Sequence, residues 1–307
     1  MNILGAAITG CLLLASWPLS AAMADGDAQI RAQAGDSEIV ITTTRRLAGA
    51  IDSLVWHGRE FINSTDHGRQ LQSACSFDNT PTANAETFNP TEAGSRDDGA
   101  GTNTTSRLLE LVARGNHLHT RTQMAFWLAP GERSEGQLAR NTNILSDCIL
   151  TKDVTIGYGR WPQALDYRVT FSVPTNSHHT SAQFEALTGY MPEDFSAFYE
   201  FNPRANKLQP LSRGPGEIKN PVVLATTDGR FAMGIFSPPR NLADTSGPTY
   251  GRWFFDRAHV SKWNCVFRTR DPAGLRGGEY TFQMLVLVGT LPQVETMLAE
   301  CESKKWQ

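Results

Sequence analysis

Apolar and polar residues alternate with a period of two along most of this chain, and that period predicts β-strands rather than helices. The clearest runs cover 38–44, 51–57, 60–64, 68–74, 107–113, 117–127, 148–157 and 164–173. Others follow at 183–187, 222–227, 230–236, 262–268 and 279–288. Short connections carry turn residues: His57-Gly58, Arg114-Gly115-Asn116 and Asp228-Gly229. Asp-Gly between two apolar runs favours a hairpin, because tight β-turns need positive φ angles. Only residues 292–300 have helical spacing. Thr290 is placed to cap that helix, Pro292 stands near its start, and Val294, Leu298 and Cys301 share a face. Many strands and one short C-terminal helix predict an all-β, antiparallel sandwich or barrel over residues 25–307, read as one domain. Long polar segments at 77–106, 131–146 and 202–220 interrupt it, and loops of that size usually carry function.

The first 24 residues change the picture of where the protein works. They hold no charged side chain, are largely apolar from Ile3 to Leu19, and end in Ala22-Met23-Ala24 before Asp25. This pattern is that of a secretory signal peptide with a small-residue cleavage site, so a secreted or periplasmic protein is expected. A membrane anchor is excluded by the short apolar stretch, which Pro18 breaks. Ile8-Thr9-Gly10-Cys11 looks like a lipoprotein signal, but Cys11 precedes most of the apolar region. No later segment has the length and apolarity of a spanning helix. The net charge of −3 is mild and the basic residues are scattered, so no nucleic-acid-binding stripe is formed. Beyond the signal, Cys75, Cys148, Cys265 and Cys301 make an even count. In an exported chain that predicts two disulfides, with three pairings open and free buried thiols as the alternative, and their spacing is not that of a zinc site.

Candidate chemistry concentrates in residues 51–94. Asp66-His67-Gly68-Arg69-Gln70-Leu71-Gln72 places acid, imidazole, guanidinium and amide groups in a run where a core strand would alternate apolar residues. Arg69 can hold a carboxylate through two hydrogen bonds and His67 can exchange a proton near neutral pH. The structural alternative is a turn in which Asp66 caps the backbone, Gly68 bends it and Arg69 pairs with an acid. Glu92, in Asn89-Pro90-Thr91-Glu92, is a candidate general acid or base, and Glu217, after Gly214-Pro215-Gly216, is a second carboxylate. His117 and His119 share a strand face, but no third ligand follows at a metal-binding spacing, so no metal is expected. Among the aromatics Trp127, Trp161, Tyr190, Tyr199, Trp253 and Trp263, the loop setting of Trp161 makes it the best candidate for an exposed stacking platform. No nucleophile elbow, phosphate loop, dinucleotide fingerprint or zinc-protease motif is present, and nothing calls for a cofactor.

The run Arg59-Glu60-Phe61-Ile62-Asn63 leading to Asp66–Gln72 resembles the galactose mutarotase-like superfamily, as do Pro221–Ser237 and Tyr280–Gly289. The resemblance implies a large antiparallel β-supersandwich and a carbohydrate context, which in that superfamily covers epimerases, glycoside hydrolase domains and polysaccharide lyases. It carries no catalytic motif onto named positions. The expectation is therefore a carbohydrate-active enzyme with His67, Glu92 and Glu217 as acid/base groups. Arg69, Gln70, Gln72, His119 and Trp161 are the expected sugar-binding residues. With a uronate, Arg69 and Gln70 would stabilise an enolate while His67 or a tyrosine takes the proton. With a neutral sugar, His67 and Glu92 would act as an acid/base pair, and Glu92 with Glu217 suit hydrolysis only if they flank one bond. A noncatalytic glycan-binding protein on the same scaffold and an envelope structural protein are the competing readings.

Overall fold

A computed structural model describes residues 25–175, 178–239, 244–304 and 306. The expected signal segment and Cys11 lie outside the described residues. The chain is built almost wholly from antiparallel strands, as the alternation predicts, and nineteen of them are joined in one continuous hydrogen-bonded sheet.

That sheet folds over into two layers. The front layer runs Ala28–Ala34, Ser37–Thr43, Ile51–Trp56 (with its short partner Arg59–Glu60), Leu71–Phe77, Ser181–Pro192, Val260–Arg270, Thr245–Phe255 and Gly216–Ile218. The back layer runs Arg107–Arg114, His117–Phe126, Leu145–Tyr158, Trp161–Val173, Gly278–Gly289, Ala232–Phe236, Val222–Ala225, Ala197–Asn202 and Lys207–Pro210. The short strand Pro90–Thr91 joins them, pairing with Ala74 of the front layer and with Ala125 and Phe126 of the back.

Alternate side chains of both layers meet in one core. Phe184 of the front layer packs 5.1 Å from Phe171 and 5.3 Å from Phe282 of the back layer, and Phe267 stacks on Phe282 at 4.4 Å. This is the face-to-face arrangement of a β-sandwich. The outer face of the back layer is also partly apolar. Phe201, Val223, Phe236, Leu285 and Leu287 lie there under the C-terminal helix Leu291–Ser303, whose Val294, Met297, Leu298 and Cys301 are buried against them. Thr290 starts the helix as expected, its N–H donating to the Gln293 side chain at 2.8 Å. Among the described residues no helix covers the front layer, whose outer face carries Gln183, Glu185, Lys262 and Arg268.

Local details depart from the pattern in instructive ways. His57 and Gly58 both adopt positive φ (51° and 68°), forming the two-residue turn between Trp56 and Arg59. In the Asp228-Gly229 hairpin only Gly229 has positive φ, while the Asp228 carboxylate accepts from Thr226 Oγ1 and the Arg230 N–H. The run expected over 60–64 is a strand only at Arg59–Glu60, because Asn63 to Gln70 turns back on itself through side-chain bonds. Among the described residues, the strands Ala28–Ala34, Ala197–Asn202, Lys207–Pro210, Gly216–Ile218 and Thr245–Phe255 escape the sequence pattern, as do the two-residue strands Pro90–Thr91, Arg133–Ser134 and Gln137–Leu138.

The two expected disulfides are not formed. Cys75, Cys148, Cys265 and Cys301 are free, buried thiols. Cys265 sits in the inter-sheet core and Cys301 beneath the helix on the far side of the back layer, so those two do not meet. Cys75 and Cys148 are neighbours, and burial followed by that contact raises the Cys75 thiol well above its ordinary range.

Candidate functional site

The residues singled out in the 51–94 region are brought together, but as internal scaffolding. His67 is 1 % exposed, with Nδ1 2.7 Å from Gly99 O and Nε2 2.7 Å from Arg46 O, so neither ring nitrogen is left for a substrate. Gln70 is fully buried and donates to Asp66 O and Ser64 Oγ. Gln72 accepts from the Ala93 N–H at 3.1 Å and thereby holds the loop after Pro90–Thr91. Arg69 pairs with Asp66 at 3.1 Å and reaches Ala258 O, while Asp66 Oδ1 accepts from the Gly68 N–H. These bonds are those of the structural turn.

Glu92 is likewise sealed. Its carboxylate forms an ion pair with Lys152 Nζ at 2.5 Å, and both side chains are 0 % exposed. Lys152 also donates to Gly49 O, and the Ser73 N–H donates to the second Glu92 oxygen at 3.0 Å. Tyr167 lies alongside, where burial and then the Glu92 charge hold its phenol well above the usual range. The Glu92 carboxylate is therefore enclosed between the layers, with its bonds made to Lys152 and the Ser73 N–H.

His119 and Trp161 belong to the back layer and do not join the others. His119 Nδ1 is 2.8 Å from Asp153, which His117 shares at 3.3 Å, and among the described residues no cluster of three metal-ligating side chains occurs. Trp161 opens the strand Trp161–Val173 and donates from Nε1 to Glu300 of the C-terminal helix at 2.9 Å.

Glu217 does lie at a polar surface with converging charges, on the outer face of the front layer. It accepts two hydrogen bonds from Arg268 (2.7 and 2.9 Å) and one from Thr249 (2.6 Å). Burial opposes its ionisation, but the Arg268 and Thr249 hydrogen bonds prevail and lower its pKa. Arg268 also donates to Gln183 at 3.0 Å, and both line a groove of 870 Å³ whose rim includes Asp78, Thr80, Ser246 and Arg270.

Beside this groove the same face carries a second acid–base cluster that the motif search missed. Glu185 Oε2 is 3.5 Å from Lys262 Nζ and accepts from Thr188 Oγ1 (2.9 Å) and Asn264 Nδ2 (3.2 Å). Lys262 Nζ stands 5.0 Å from the ring centres of both Tyr190 and Trp253. The pair is only partly covered, with 23 % of the Glu185 side chain and 15 % of Lys262 exposed. Desolvation works against both charges. For Glu185 it is outweighed by Lys262, Asn264 and Thr188, which lower its pKa. For Lys262 it is outweighed by Glu185 and then Tyr190, which hold the ammonium above the ordinary amine range.

A β-bulge assembles this cluster. The register of Ser181–Pro192 shifts after Glu185 against both neighbouring strands, so Ala186 and Leu187 both enter the core. Glu185 and Thr188 then share the outer face, which a strict period of two forbids. Gly251 permits the close approach of the indole, since a Cβ there would stand 2.2 Å from the Trp253 ring. Tyr190 and Trp253 figured among the aromatics noted from sequence. The remaining signal was the polar alternation Lys262, Asn264, Arg268 within an otherwise apolar strand.

No protein-family model matches the chain, and no curated protein is significantly similar to it in sequence. Solved structures that resemble it include heparan sulfate lyase HepC from Pedobacter heparinus, 12 % identical over 87 % of this chain and 35 % of that one, with a TM-score of 0.41. The α-galactosidase from Lactobacillus brevis is 10 % identical over 86 % of this chain and 40 % of that one, with a TM-score of 0.42. Protein Slr1438 from Synechocystis sp. PCC 6803 is 9 % identical over 89 % of this chain and all of that one, with a TM-score of 0.43. This chain thus spans about a third of the length of the lyase and two-fifths of the galactosidase.

Proposed function

We propose that this is an exported carbohydrate-active protein that binds a poly- or oligosaccharide along the outer face of the front layer. One observation carries the reading. Glu185, Lys262, Tyr190 and Trp253 converge beside a groove of 870 Å³ whose floor holds Arg268. An indole offers the apolar face of a sugar ring a stacking surface, and convergent titratable groups at a cleft are what acid/base chemistry needs.

Among lyase, hydrolase and epimerase chemistry, elimination from a uronate fits these groups best. Paired-carboxylate hydrolysis needs one acid held protonated at neutral pH. Glu185 and Glu217 are both pushed the other way. Elimination instead needs a cation on the uronate carboxylate, a role that Lys262 would take. Tyr190 would take the proton α to that carboxylate, the C–H electrons forming the ring double bond as the glycosidic C–O bond breaks and the departing oxygen taking a proton from water. The second reading, a noncatalytic glycan-binding protein, is favoured by the fact that both acids are already paired with cations.

The test incubates the purified chain with neutral and uronate-containing glycans and follows them by NMR, beside Glu185→Gln and Tyr190→Phe variants. Unsaturated-uronide signals lost in Tyr190→Phe are expected. Saturable line broadening without new signals selects the binding reading. No response to any glycan from a folded protein overturns both.

A further inference from the structure

A second hollow, of 290 Å³, lies where Phe77, Phe88 and Phe126 meet His179. It falls near the lower end of the roughly 300–1,000 Å³ range of small-molecule sites. Its walls are aromatic. Phe88 packs edge-on to Phe126 at 4.6 Å and to Phe77 at 6.1 Å, and the His179 ring stacks on Phe77 at 4.4 Å. Phe77 and Phe126 are nearly buried, so the aromatic surface left open to an entering ring is that of the partly exposed Phe88 and His179.

One cation stands at this hollow. Arg140 lines it, with its guanidinium carbon 5.5 Å from the centre of the Phe88 ring. Its Nε and one terminal nitrogen donate to neutral acceptors, Thr87 Oγ1 at 3.1 Å and Phe77 O at 2.5 Å. Among the described residues no carboxylate forms an ion pair with Arg140. Partial burial lowers its pKa, opposed only by the charge of Asp78. Asp78 is itself committed to His179 Nδ1 at 2.6 Å and to the N–H groups of Thr180 and Ser181. Asp147 lines the hollow too, on an exposed part of the chain. Asn141, 6 % exposed, adds a polar wall: its Nδ2 donates to Leu128 O and Asn143 O, while Oδ1 finds no donor among the described residues.

An aromatic wall beside a guanidinium that has no acid partner among the described residues suits a ligand with a flat apolar body and a single negative charge. We propose that this hollow binds a small aromatic carboxylate, its ring against the partly exposed Phe88 and His179 and its carboxylate on Arg140. The site is separate from the sugar groove but adjoins it through the Asp78–His179 pair, since Asp78 lines the groove and His179 the hollow. Its existence does not depend on the carbohydrate reading.

Titration of the purified chain with benzoate and with benzyl alcohol, followed by calorimetry or ligand-observed NMR, tests this. Benzoate is expected to bind saturably and at least tenfold more tightly than benzyl alcohol, a comparison that needs no variant. Arg140→Gln, checked for folding by circular dichroism, is expected to erase that preference, and Phe88→Ala to weaken both ligands. Glu185→Gln is expected to leave benzoate binding unchanged. Absent benzoate binding, equal affinity for the alcohol, or a preference that survives in folded Arg140→Gln overturns the proposal. Loss of benzoate binding in Glu185→Gln also overturns it, because the ligand would then occupy the sugar groove.

Discussion

Two glutamate–lysine pairs mark the two faces of the front layer, and they are chemically alike. Glu92 and Lys152 sit between the layers, 2.5 Å apart and fully buried. Glu185 and Lys262 sit on the outer face, 3.5 Å apart and open to solvent at their tips. The inner pair is closed, its remaining capacity taken by Gly49 O, the Ser73 N–H and the apolar core. The outer pair is framed by two aromatic rings and a groove. The same residue types thus serve architecture in one place and form a candidate site in the other, and solvent access is what separates them.

The comparison breaks most sharply through the inner pair. Lys152→Met leaves the Glu92 carboxylate buried without its partner and is expected to cost about 3–5 kcal/mol in urea unfolding, whereas Glu92→Leu with Lys152→Met together recovers most of it. A single variant within about 1 kcal/mol of wild type would place the inner pair in contact with water. In the outer pair, Lys262→Met is expected to cost less, about 1–2 kcal/mol, because water reaches Glu185. Its main effect is loss of the glycan response, by tenfold or more.

Acid sharpens the same contrast. Glu185 and Glu217 have folded-state pKa values below the ordinary 4.5. Their contribution to stability is therefore present above pH 4.5 and lost as the pH falls from there through the lower folded values. A Glu185→Gln, Glu217→Gln double variant should show a shallower fall in unfolding midpoint below pH 4.5 than wild type, and an unchanged slope would refute the assignment. The smallest effect belongs to the back layer. His119→Ala, which removes a half-exposed contact with Asp153, should change stability by less than about 1 kcal/mol and leave the glycan response intact.

Much of the fold was legible because burial imposes a period of two on strands and the long central strands of the back layer obey it. Trp161–Val173 and Gly278–Gly289 alternate cleanly or are buried on both faces, and the helix after Thr290 carries its own cap and apolar stripe. The candidate site was legible only in Glu217, Tyr190 and Trp253. His67, Gln70, Gln72 and Glu92 attracted attention because polar residues in a strand-like run suggest a ligand. In the folded chain backbone carbonyls, amides and Lys152 satisfy them instead. Sequence states that a polar group needs a partner but not whether that partner is substrate or protein.

By itself, then, the order of residues determined an all-β antiparallel architecture closed by one C-terminal helix, since those features follow from local periodicity, turn conformations and caps. Which acids meet which bases was decided only by the tertiary structure. Glu185 and Lys262 are 77 positions apart in the chain and become neighbours through strand pairing. The bulge after Glu185 turns Thr188 onto the same face. Free thiols where disulfides were expected have the same origin, because a cysteine's partner is set by the packing of the layers and not by the even number of cysteines.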